Sequence, residues 1–187
     1  MIKKRTSVVI YAFVFTLAVL TLGYVSFGIW TTLIFTSGFL GGFVLWILIP
    51  AEVSFKFIKI PYWLAFFLFL VHRVEEKVSG FFLALSEITK APVPEITSIP
   101  IILLVLISVG AWLLVPILIN RGYAFGYYLA WTFFAAMGIT ELAHFVLPLF
   151  QEGPYGYFPG MVSVVLLAPV AWWGMWRLSR MNRRHTS

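Results

Sequence analysis

The sequence predicts an all-α protein, a polytopic membrane helical bundle of about six transmembrane helices with both termini cytoplasmic. Three observations predict it. Of 187 residues, 61% are hydrophobic and only 11% charged, with a mean hydropathy of +0.98; a water-soluble domain of this size does not need that much apolar surface. The apolar residues come in runs of roughly 20, the length a helix needs to cross a bilayer. The period-two alternation of an outer-membrane barrel is absent, so helices must satisfy the backbone within lipid. Residues 1–187 therefore read as a single integral membrane domain.

Six segments follow in order. The first is about 8–27; the basic start before it resembles a signal peptide, but its apolar run is long and no clean cleavage site follows, so it reads as a retained span. The second, about 30–49, follows a very short turn at Gly28 and carries Gly38-x-x-x-Gly42, a spacing that favours close helix packing. The third is about 61–79. The fourth is about 100–120, opened by Pro100 and with Pro116 as a possible kink. The fifth is about 125–149 and the sixth about 160–178. The longest connection, 80–99, begins with an apolar stretch, Phe81 to Leu85, suited to the membrane interface.

Charge gives orientation. With the N-terminus inside, ten basic residues fall on the cytoplasmic side and three (Arg73, Lys77 and Lys90) outside. The net charge of +6 thus reads as a topology signal and not as a nucleic-acid surface. Trp172, Trp173 and Trp176 before the basic tail read as an inner interfacial belt, and His185 as a solvated tail residue. The absence of cysteine excludes thiol catalysis, thiolate metal sites and disulfides.

Five ionisable side chains stand inside apolar stretches: His72, Glu75 and Glu76 in the third segment, Glu141 and His144 in the fifth. Such groups are expensive in a membrane and mark sites or conduction paths. At 100° per residue, Glu75 lies about 60° to one side of His72 and Glu76 about 40° to the other, so all three share a face. The two segments run parallel, and both clusters fall in their outer halves. Facing Glu-x-x-His helices are how helical bundles hold metals, and mixed imidazole and carboxylate ligands suit iron, zinc or manganese. The metal ligands read from the sequence are His72, Glu75, Glu76, Glu141 and His144, with Glu87, Glu95 or Glu152 as further candidate acids. Tyr157 lies where its hydroxyl could anchor at the interface or support the cluster. With Arg73 and Lys77 interleaved, the first cluster also reads as the wet, salt-bridged end of a helix.

His72-Arg73-Val74-Glu75-Glu76, a second membrane histidine at His144, and Tyr157-Phe158-Pro159-Gly160 together resemble the HXXEE-motif family, small bacterial and archaeal integral membrane proteins whose pattern is H-x-x-E-E, another His, and Y-x-P-G in that order. The resemblance spans about half of the chain. It implies a bacterial or archaeal cell membrane and supplies key positions, but no reaction; Glu141 lies outside its pattern.

The expected function is a metal-dependent membrane-embedded enzyme, a hydrolase or oxidoreductase. Its divalent-metal pocket would open toward the outer face, with His72, Glu75, Glu76 and His144 as catalytic residues. Its partners would be membrane lipids and a lipid-like or other apolar substrate, with no nucleic acid and room for a homo-oligomer. The alternatives are a proton- or ion-coupled transporter and a non-catalytic assembly protein.

Overall fold

The computed structural model describes residues 6–49, 51 and 53–180. Among these every regular element is helical: α1 (Thr6–Leu48), α2 (Phe55–Ser79), α3 (Phe81–Thr89), α4 (Ile99–Leu113), α5 (Val115–Asn120), α6 (Ala124–Gly138), α7 (Ala143–Val146) and α8 (Met161–Ser179), with 3₁₀ turns at Thr140–Leu142 and Leu147–Phe150. Five stretches are long and apolar enough to cross a membrane: α1, α2, Ile99–Asn120, Ala124–Phe150 and α8. His185 and most of the basic residues of the two ends lie outside the described residues.

Although α1 runs for 43 residues, it is no single rod. At Gly28 the backbone leaves the helix (φ 77°, ψ −178°). The chain folds back there, and the Phe13 and Phe43 rings, thirty residues apart in sequence, meet at 5.9 Å. The short turn expected at this glycine is therefore a hairpin.

The centre of the bundle is α6. Every residue from Gly126 to Gly138 is buried, which is why this segment shows no amphipathic stripe: a helix enclosed on all sides has no face to mark. It packs against α1, α8, α5, α4 and α2. The glycine pair in α1 makes one of these contacts. A Cβ at Gly42 would stand 2.5 Å from Thr132 Cα, and one at Gly38 would collide with Ala136 and Thr140. The small residues thus let α1 lie directly on the α6 backbone.

Two boundaries differ from the sequence reading. The third segment begins earlier, at Phe55, behind Ser54, whose side chain accepts from the Lys56 N–H. Pro61 therefore sits inside the helix instead of opening it. It has no N–H to give the Phe57 carbonyl, and Arg177 Nη1 of α8 donates to that oxygen at 2.8 Å. The fourth segment breaks at Leu114, just before Pro116, as expected of a kink. Here the freed carbonyl is that of Trp112, and the hydroxyl of buried Tyr62 donates to it.

The fifth segment departs most. Past Gly138 the α-helix ends and the chain continues as a 3₁₀ turn, one turn of α7 and a second 3₁₀ turn. Thr140 is pinned to α1 through Ser37 Oγ at 3.1 Å. This tightened stretch carries Glu141 and His144.

Candidate metal centre

The site lies where the second half of α2, the broken stretch after α6 and the start of α8 converge. His72 and Glu76 are one helical turn apart on α2, so they project from one face. Glu141 comes from the first 3₁₀ turn and His144 from α7. All four are buried, with exposures of 0% (His72), 6% (Glu76), 7% (Glu141) and 2% (His144). One ligand atom from each lies within 4.8 Å of the others. The two imidazoles stand perpendicular, 4.8 Å between centroids. Two distant stretches of apolar helix do bring their acids and imidazoles together.

The ring nitrogens have distinct tasks. The Pro159 carbonyl can only accept, so His144 Nδ1 carries a proton and donates to it. Ser163 donates its hydroxyl to the Gly160 carbonyl at 3.2 Å and therefore accepts from His72 Nδ1 at 2.8 Å. Both rings thus turn Nε2 inward. Inside, His72 Nε2 is 3.4 Å from Glu76 Oε1 and 3.1 Å from Glu141 Oε2; His144 Nε2 is 3.4 Å and 3.3 Å from the same two oxygens. The outer oxygens belong to Arg73, whose Nη1 meets Glu76 Oε2 at 2.8 Å and whose Nη2 meets Glu141 Oε1 at 2.6 Å. One guanidinium fork therefore fixes both carboxylates and leaves one oxygen of each facing the imidazoles.

Two nitrogens and two carboxylate oxygens in one dry space need positive charge between them, from protons or from a cation. Protons favour short, directed contacts of about 2.7–2.9 Å. Here four contacts are nearly equal and all longer than 3.0 Å; one of them, His72 Nε2 with Glu141 Oε2 at 3.1 Å, is a hydrogen bond, while Glu76 Oε1 is buried without a hydrogen-bond partner. Ligands set tetrahedrally around a cation at about 2.0–2.1 Å stand about 3.3–3.4 Å apart. The four N···O separations are of that order, and all four ligand atoms lie within 4.8 Å of one another. The Nδ1 bonds and the Arg73 bridge supply the outer support that metal-binding imidazoles and carboxylates ordinarily have.

The remaining motif residues fall into place around this core. A Cβ at Gly160 (φ 98°) would lie 2.5 Å from the His144 ring and 2.8 Å from the His72 ring, so the backbone there lies directly against both imidazoles. Phe81 of α3 and Phe158 lie 5.1 and 5.9 Å from the His144 ring and cover it. The apolar stretch after Gly80 is thus a helix that covers the cluster. The expected pocket open toward one face is instead a closed cluster, and Arg73 is its exposed member, with 40% of its side chain accessible.

Glu75 stands apart from the group that the sequence reading placed it in. Its Oε1 accepts from Tyr157 Oη at 2.8 Å and from the Val162 N–H at 3.1 Å, and its Oε2 accepts from the Ser163 N–H at 2.8 Å. Residues 60° apart on one helix face point at different neighbours once a second helix butts against that face. Tyr157 reaches Glu75 and also Ser79 (3.2 Å) instead of the buried four. Glu87, Glu95 and Glu152 are not part of the group found among the described residues. Sequence reasoning missed Ser163, and it read Arg73 as the wet end of a helix. A serine three residues past the Y-x-P-G glycine was the available signal for the first.

Fold and site define an all-helical protein with membrane-length apolar helices around a buried cluster of two histidines and two glutamates. The chain belongs to the HXXEE family: the family model, described as a protein of unknown function with HXXEE motif, matches residues 63–174. No curated protein and no solved structure matches the chain.

Proposed function

We propose that this is a metal-dependent integral membrane protein, and that the centre between His72, Glu76, Glu141 and His144 serves a membrane-embedded enzyme acting on a lipid-like substrate. The observation that carries it is the set of four N···O separations of 3.1–3.4 Å between two imidazoles and two carboxylate oxygens, one of which, Glu76 Oε1, has no hydrogen-bond partner. His72 Nε2, His144 Nε2, Glu76 Oε1 and Glu141 Oε2 would hold the cation, which when bound supplies Lewis-acid or redox chemistry. Zinc with these four ligands would be saturated, as in structural sites. Iron or manganese, which accept six ligands, would keep positions for a substrate and are the better match to catalysis.

The chain's own residues do the rest. Arg73 orients both carboxylates and is the part of the cluster that a substrate meets first. Phe81 and Phe158 exclude water. The cluster is held among apolar helices long enough to cross a membrane, which supports an apolar substrate. Hydrolysis and oxidation both fit this arrangement. A non-catalytic assembly role is the second reading, favoured by one observation: the double ion pair of Arg73 would also suit a buried knot that fixes the fold.

The hairpin at Gly28 divides α1 into two crossings. We propose on this count six crossings with both termini cytoplasmic, an orientation that the ten-to-three distribution of basic residues supports. The cluster then lies in the outer half of the membrane. Impermeant labelling of Gly153→Cys from outside tests this; labelling from the cytoplasmic side alone inverts it.

The metal is tested by elemental analysis of gently purified protein against the His72→Ala, His144→Ala double variant. About one equivalent of a transition metal in the wild type and little in the variant is expected, and equal content in both removes the proposal. Lowering the pH should release the metal, because protons compete for the imidazole nitrogens and the carboxylates.

A further inference from the structure

The two acids of the H-x-x-E-E motif are neighbours in sequence, yet they face different partners. We propose that Glu75 is a positioning residue, the clamp that holds the Tyr157–Gly160 turn and the first turn of α8 where they can orient both imidazoles. The proposal rests on the metal reading of the same cluster, and it deepens that reading by separating the ligand Glu76 from the clamp Glu75.

The first turn of a helix leaves its N–H groups without internal partners, and within a membrane water cannot supply them. α8 begins after Gly160, which has no side chain to cap it. Glu75 of α2 takes over that task from another helix, accepting from the N–H groups of Val162 and Ser163, with Tyr157 Oη closing the same carboxylate from the turn. A carboxylate at a helix N-terminus is also favoured by the helix dipole. With three donors on its two oxygens, Glu75 is committed to this bracket.

The bracket is what the imidazoles lean on. Ser163, held by its N–H to Glu75 Oε2, accepts from His72 Nδ1 through its hydroxyl. The Pro159 carbonyl accepts from His144 Nδ1. Gly160 lies against both rings with no room for a Cβ. If the start of α8 shifts away from α2, the Ser163 hydroxyl, the Gly160 backbone and the Pro159 carbonyl move together, and both Nε2 atoms lose their aim. The H-x-x-E-E box, the second histidine and Y-x-P-G are therefore parts of one device: ligands, and the frame that points them.

Cobalt(II) is the probe, because its visible spectrum reports ligand geometry. Full-length protein in detergent is titrated with Co²⁺ as wild type, Glu75→Gln, Glu76→Gln, Ser163→Ala and the Glu75→Gln, Ser163→Ala pair. Glu75→Gln is expected to keep one equivalent of Co²⁺ with shifted absorption bands and affinity lowered about 10–100-fold, the usual effect of removing an outer partner. Glu76→Gln should lose tight binding. Ser163→Ala should resemble Glu75→Gln, and the pair should be little weaker than the weaker single variant, since both act through one contact chain. Wild-type affinity and spectrum in Glu75→Gln overturn the clamp. So does full additivity of the pair, which would make Glu75 a plain helix cap, and so does complete loss of Co²⁺ in folded Glu75→Gln, which would make it a ligand. If Glu75→Gln does not fold, Tyr157→Phe decides, with a smaller change in the same direction expected and no change overturning the clamp.

A wild type that takes up no cobalt removes the metal reading by itself. The clamp is then decided in metal-free protein by the imidazole Nδ1–H resonances of His72 and His144: slowly exchanging in wild type and fast in Tyr157→Phe or Glu75→Gln if it holds, unchanged if it does not.

Discussion

Two regions of this protein treat their polar groups differently. At the α2–α8 and α2–α4 contacts, each of two prolines frees a backbone carbonyl, and each carbonyl has found a donor from a neighbouring helix: Arg177 for Phe57 and Tyr62 for Trp112. Both carbonyls are thus supplied, and the bonds tie neighbouring helices together. At the His/Glu cluster the outer atoms are matched in the same way by Arg73, Ser163 and Pro159, but among the inner four there is one hydrogen bond, between His72 Nε2 and Glu141 Oε2 at 3.1 Å. They face one another at nearly equal distances, and one carboxylate oxygen has no hydrogen-bond partner. Two imidazole nitrogens and two carboxylate oxygens within 4.8 Å of one another could hold a positive ion.

The sharpest way to break this comparison is to disturb the aim without touching a ligand. Gly160→Ala puts a Cβ 2.5–2.8 Å from both imidazoles at a φ of 98°. Backbone strain and overpacking together should lower stability by about 3 kcal/mol or more and should strip the metal. Gly153→Ala is the control: its φ is 112°, but nothing lies within 4 Å of the added carbon, so only the strain remains. Thermal unfolding and metal content in detergent read both. Equal effects at the two glycines would mean that the ring contacts at Gly160 do not matter.

Tyr62→Phe probes the matched region. It removes the donor and leaves the Trp112 carbonyl buried without it, which should cost about 1–3 kcal/mol. Metal content should stay at the wild-type level, since Tyr62 does not touch the cluster. A loss of metal at this position would show that the two regions are coupled.

How much of this could be read from the chain follows the same division. The helical class, the segments and the convergence of His72, Glu76, Glu141 and His144 were legible, because charge in an apolar run is conspicuous and helical spacing assigns it to a face. The separation of Glu75 from Glu76 was not. Both lie within 60° of His72, and only the arrival of α8 on one side of that arc decides which acid turns inward. The broken helix after Gly138 was also hidden, since residues 125–149 are apolar enough to continue as one span. What ends the helix is packing of Thr140 against Ser37 and Gly38 of α1, a contact a hundred residues away. Pro61 misled for a related reason: alone it signals a helix start, and it is tolerated inside α2 because Arg177 takes the orphaned carbonyl.

That last contact gives the smallest expected effect and the most specific test. Arg177→Met should destabilise by about 1 kcal/mol, through loss of the hydrogen bond to the Phe57 carbonyl and of the guanidinium stacked on Phe57 and Trp173. Pro61→Ala returns an N–H to α2 within reach of the same carbonyl. In that background Arg177→Met should cost about half as much, because only the stacking remains to be lost. Unfolding midpoints of the four proteins in the cycle measure it. An identical cost in both backgrounds would mean that the proline and the arginine are unrelated and that Arg177 is held by its aromatic neighbours alone.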